Sequence, residues 1–93
     1  GVSSAASDVY KRQLRDVAGM LRSFAYARAA GDAPSGWLDD CRAAFLDGYG
    51  VQSDPVLDAY ELDKAIYEAL YEARFRPQLA HVPLDAIRAL VTE

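Results

Sequence analysis

Apolar residues recur along most of this chain at steps of three and four, the spacing that gathers them on one face of an α-helix. Leu14, Val17, Ala18, Leu21, Phe24 and Ala25 form the first row, with Arg28 at its end. They predict a helix over 14–30, closed by Gly31 as a left-handed terminator, with Asp16 in the first turn complementing the helix dipole. Residues 32–36, DAPSG, have the composition of a turn, and Ser35 offers a cap. Trp37, Cys41, Ala44, Phe45 and Tyr49 make a second row over 37–49, which sends Asp39, Asp40, Arg42 and Asp47 toward solvent. Gly48 and Gly50 bracket its exit, and Val51 to Ser53 lead onward. A final row, Leu84, Ile87, Leu90 and Val91, begins at Pro83 and carries to Glu93, read as a natural C-terminus, while His81 falls in the link before it. No segment alternates with period two, so no strand is expected. The fold class expected is all-α, with about four helices.

The stretch 54–77, DPVLDAYELDKAIYEALYEARFRP, carries the clearest boundaries. Asp54 can cap, Pro55 suits the first helical position, and Pro77 forbids continuation. About 20 residues lie between, or roughly 30 Å of helix. At about 100° per residue the side chains divide into three sectors. Ala59, Leu62, Ile66, Leu70 and Ala73 are apolar, Tyr60, Lys64, Tyr67, Tyr71 and Arg74 are aromatic and basic, and Asp58, Glu61, Glu68 and Glu72 are acidic. A surface helix needs only an apolar stripe and a polar remainder. The stripe is expected to face the core, and the aromatic-basic sector is the feature that calls for a function.

Composition narrows the classes. The chain has 93 residues, enough for one small domain or part of a larger one. It carries 14 acidic and 10 basic residues, a net charge of -4, and no basic stripe, which argues against a nucleic-acid partner. No apolar run reaches the roughly 18 residues of a membrane span. Cys41 is the only cysteine and His81 the only histidine, so an internal disulfide is ruled out and a zinc site disfavoured. Cys41 reads as a small core residue. Asp39 and Asp40 diverge by about 100° on a helix and do not chelate one ion. One histidine and scattered serines supply no nucleophile-base-orienter triad.

Residues 1–13, GVSSAASDVYKRQ, show neither an apolar period nor a signal-peptide core. The tract SSAASDVYKRQ resembles the translation of sequencing-adapter DNA. Residues 1–13 are therefore expected to be a non-native or disordered tail, and 14–93 the helical part of a longer protein.

Three stretches carry a family likeness: LRDVAGMLRSFAYA at 14–27, FLDGYG at 45–50, and AYELDKAIYEALYEARFRP at 59–77 followed by VPLDAIRAL. Together they resemble the C-terminal end of bacterial maltokinase, which makes maltose 1-phosphate from maltose and ATP and also occurs fused behind trehalose synthase. The resemblance implies the distal part of the helical C-lobe of a kinase-like fold. It places the catalytic loop, and the sites for ATP and Mg²⁺, upstream of this chain. No catalytic residue is expected here, and the fragment alone is expected to be inactive and to bind no cofactor. Carried over by position, the likeness makes Lys64, Tyr67 and Tyr71 acceptor-sugar contacts, with Arg88 more loosely aligned. Tyrosine offers a ring to a sugar's C–H face and a hydroxyl to its oxygens, and lysine offers three donors. The implied partners are maltose and the remainder of the kinase chain, without nucleic acid or membrane, and the implied location is cytoplasmic. A fragment of this kind should leave the Val17/Leu21/Phe24 and Trp37/Phe45 stripes exposed. The alternative reading is a stand-alone four-helix protein-interaction module with no enzymatic activity.

Overall fold

A computed structural model describes residues 4–51 and 54–92. Four α-helices follow one another: α1 (Ser4–Ala30), α2 (Trp37–Tyr49), α3 (Pro55–Phe75) and α4 (His81–Val91), with a 3₁₀ turn at Pro77–Leu79. The fold is all-α, and no strand occurs among the described residues. The expectations placed on Gln52, Ser53 and Glu93 lie outside the described residues, as do those on residues 1–3.

The long helices α1 and α3 pack against each other, α2 leans on α1, and α4 lies against α3. Leu14, Val17, Ala18 and Leu21 of α1 meet Val51 and Leu57 in the core, and Phe24, Phe45, Leu46 and Tyr60 pack around them. The first apolar row is thus buried as its spacing predicts. Val17 and Leu21 are fully covered rather than exposed. Phe24 and Phe45 meet edge to face, with centroids 5.4 Å apart, and this pair helps dock α2 on α1. No residue of α2 is fully buried, and Ala44 and Tyr49 of its expected stripe are exposed.

Helix α1 starts ten residues before Leu14, so residues 4–13, expected to lie outside the fold as a tail, are helical from Ser4. They contain no glycine or proline, and a helix anchored by its neighbours propagates readily once nucleated. The Tyr10 hydroxyl also donates to Asp54 Oδ2 at 2.8 Å, tying this turn to the start of α3. Asp16 is therefore inside the helix, not in its first turn. Gly31 ends α1 without a positive φ. The left-handed glycines are Gly36, at φ 85°, and Gly50, at φ 75°. Gly36, not Ser35, is the N-cap of α2.

The boundaries of α3 follow the sequence. Asp54 accepts from the Val56 N–H at 2.7 Å, Pro55 opens the helix, and Pro77 begins the 3₁₀ turn. Its rotation about its own axis is the reverse of the expectation. Leu57, Glu61, Ala65 and Glu72 point inward, whereas Ile66 and Leu70 of the apolar stripe are exposed. Glu61 and Glu68 of the acidic sector turn in because α1 and α2 bring Arg22 and Arg42 to meet them, and Glu72 is met by Arg76, while Asp58 stays exposed. In α4 the buried residues are Val82 and Pro83, while Leu84 and Val91 face outward. His81 is the first residue of α4, not part of a loop, because Ala80 already has helical dihedrals and the Leu84 N–H bonds its carbonyl.

Two glycines at the C-terminal end of α2, Gly48 inside it and Gly50 at its cap, separate propensity from turn geometry. A Cβ at Gly48 meets no atom within 4 Å, whereas Gly50 closes the helix through Gly50 N–H to Asp47 O and Val51 N–H to Leu46 O. Gly48→Ala should raise stability by about 0.5–1 kcal/mol. Gly50→Ala, two residues on, should lower it by about 1 kcal/mol. Urea unfolding of both variants measures the two signs.

Candidate functional site

The inward carboxylates of α3 form two groups. Near the N-terminal half, Arg42 of α2 grips Glu61 with both arms, Nη1 to Oε2 at 2.7 Å and Nη2 to Oε1 at 3.0 Å. The Arg22 Nη1 of α1 stands 3.8 Å from the same Oε2. Arg22 also donates from Nε to Glu68 Oε1 at 2.9 Å. Its Nη2 lies 2.8 Å from that oxygen, but the N–H is not aligned with it, and this buried nitrogen makes no hydrogen bond. Arg42, expected to face solvent, is thus half-buried in an ion network joining three helices.

Toward the C-terminal end, Glu72 is fully buried and held by Arg76, Nε to Oε1 at 2.7 Å and Nη2 to Oε2 at 2.9 Å. The Arg76 fork holds the Glu72 carboxyl below its ordinary range, with a smaller contribution from the Tyr26 hydroxyl. Burial, then the hydrogen bond to Glu72, pushes the Tyr26 hydroxyl well above its ordinary 10.0. Arg76 also lies over the Tyr71 ring at 5.6 Å.

Between α1 and α3 run two adjoining open grooves of about 700 and 300 Å³. Tyr26, Tyr67 and Glu68 border both. Lys64, Arg22 and Ser23 line the larger, and Tyr71, Glu72 and Arg76 the smaller. Three of the four residues singled out from sequence, Lys64, Tyr67 and Tyr71, therefore share one wall. Lys64 is half-buried over Gly19 of α1, while Tyr67 and Tyr71 are exposed. Arg88 does not join them. It lies exposed on α4, 3.4 Å from Asp85, because α4 packs on another side of α3.

Tyr26 and Arg22 were not legible as site residues. Both sit in α1, and only the packing of α1 on α3 brings them opposite the tyrosines. The groove joins aromatic rings to mixed donors and acceptors. Its lining charges, Arg22, Lys64 and Arg76 against Asp63, Glu68 and Glu72, balance. Such a surface suits an uncharged ligand rich in hydroxyls better than an anion. A separate cavity of about 370 Å³, on the α4 side, is lined by Arg22, Arg28 and Arg42 together with Asp39, Asp58, Glu61 and Asp85. Among the described residues no group of three or more His, Cys, Asp or Glu side chains could hold a metal ion, and no helix is long and apolar enough to cross a membrane.

No protein-family model matches the chain, and no solved structure matches it significantly.

Glu61 is 2% exposed and faces two guanidinium groups. Glu61→Ala leaves Arg22 buried without that carboxylate and should cost about 3 kcal/mol or more, measured by denaturant unfolding.

The pH profile follows from the shifted groups. Asp54 is held low by the Tyr10 hydroxyl and then the Val56 N–H, and Glu72 by Arg76. Carboxyls depressed in the folded state stabilise it fully above their unfolded values of about 4, and that stability is lost as pH falls through the folded values. Tyr26 is raised, so its contribution is complete below about 10 and is lost as pH rises from there. Melting temperature should form a plateau from about pH 5 to 9 and fall on both sides. Tyr26→Phe should shallow chiefly the alkaline limb, and Glu72→Gln chiefly the acid limb, each with a smaller effect on the other because the two groups bond each other.

Proposed function

We propose that this chain is part of the helical C-lobe of an ATP-dependent maltose kinase and supplies a wall of the acceptor-sugar site. The observation that carries the reading is the α1–α3 groove, where Lys64, Tyr67 and Tyr71 lie along one wall and Tyr26 borders the same space. The likeness of 14–27 and 59–77 to maltokinase supports it from the sequence side. Ring faces at Tyr67 and Tyr71 would stack on glucosyl C–H faces, and Lys64 would donate to hydroxyls. The groove volumes fall within the roughly 300–1,000 Å³ typical of ligand sites. ATP and Mg²⁺ belong to the upstream part of such a kinase. The described residues offer no acidic cluster to hold the metal, so no step of phosphoryl transfer is routed through them. The parent is read as cytoplasmic because it uses ATP, and as either a free kinase or a trehalose synthase fusion.

The second reading, a stand-alone four-helix interaction module, draws on the exposed apolar residues Ile66 and Leu70 of α3. It requires residues 14–93 to bind a protein partner and to lack enzymatic activity in any longer form.

In the complete enzyme, Tyr67→Ala and Tyr71→Ala should each raise the KM for maltose about tenfold, the equivalent of about 1.4 kcal/mol, with the KM for ATP unchanged. The isolated chain, given ATP, Mg²⁺ and maltose, should form no maltose 1-phosphate. Unaltered maltose kinetics in both variants would remove the site assignment. Product formation by the chain alone would remove the division of labour.

A further inference from the structure

We propose that the outward face of α3 is a self-association surface, on which a second copy of this chain docks antiparallel. This goes beyond the sugar-site reading and does not depend on it. The inward turn of Glu61, Glu68 and Glu72 leaves Ile66 and Leu70 on the opposite side of the helix, 47% and 70% exposed. Ala59 and Ala73, also exposed, extend the row and let a second helix approach closely.

Charge complementarity identifies the occupant. Asp63 and Arg74 are both exposed, and neither makes an ion pair among the described residues. Arg74 lies over the Phe75 ring at 5.5 Å. They are eleven residues apart, so they differ by only about 20° around α3 and by about 16 Å along it. Ile66 and Leu70 lie between them, three and four residues in from the two ends. A two-fold axis midway between Asp63 and Arg74 sets each Asp63 across from Arg74 of the other copy, twice per dimer. The same axis sets Leu70 across from Tyr67. A parallel pair would instead oppose like charges at both ends. The face is therefore complementary to itself in one orientation, as an isologous interface requires. Tyr67 and Asp63 border both this face and the groove; Tyr67, the proposed sugar contact, is left unaltered in the test, and Leu70→Glu supplies a variant away from the groove lining.

The test is sedimentation equilibrium of the full chain across concentration, with circular dichroism to check helicity. The chain should pass from one-copy to two-copy mass as concentration rises. Asp63→Arg alone and Arg74→Asp alone should each weaken association about tenfold by opposing like charges. The double reversal Asp63→Arg/Arg74→Asp should recover it, and Leu70→Glu should abolish it with helicity intact, since all three positions are exposed. A chain that stays monomeric to about 1 mM overturns the proposal. So does a double reversal no better than the single variants, which would mean association through some other surface. Maltose dependence is not read in this experiment, so failure here leaves the sugar-site reading standing, and the reverse also holds.

Discussion

Glu61 sets the orientation in which α3 packs against α1 and α2. Its carboxylate is almost fully covered, and it is covered because the guanidinium groups of Arg42 and Arg22 arrive from two other helices. A buried ion pair yields little net stability against a well-packed apolar alternative, since desolvation offsets most of the attraction. Its consequence is directional. Turning α3 to bury Ile66 and Leu70 would take Glu61 and Glu68 away from Arg22, a side chain with almost no access to water. The pairs thus select one rotation of α3 over another that burial of apolar area alone would favour.

The groove follows from that choice. With Glu61, Ala65, Glu68 and Glu72 turned inward, Lys64, Tyr67 and Tyr71 fall on the edge of α3 that borders α1. Ala18 and Gly19 present a slim surface there, so Lys64 lies across the backbone of α1 with its Cε and Nζ 4.0 Å from the position a Gly19 Cβ would take. Tyr26 of α1 lines the smaller groove opposite, together with Glu72. Core packing and the sugar-site reading thus depend on the same rotation, as does the bare outward face.

Apolar periodicity read the helices well where the burial was ordinary. Leu14, Val17, Ala18 and Leu21 are buried as spaced, and Asp54 with Pro55 starts α3 as its residue types demand. It failed on α3 because hydropathy assigns every carboxylate to water, and no single-helix pattern records that arginines 19 and 46 residues away in sequence will pair with Glu61 and Glu68. The same limit hid Arg42, whose position on α2 looked solvent-facing. Arg88 was placed beside the tyrosines by alignment alone, and the packing of α4 carries it elsewhere.

The sequence by itself determined that the chain is helical, where α2 and α3 begin and end, and that α3 carries three chemically distinct faces. These are local properties, fixed by caps, proline, glycine and the 3.6-residue period. Only the tertiary structure decided which of those faces is inside. That depends on charges contributed by α1 and α2, and the free energy of a carboxylate in the interior turns on the partner it finds there.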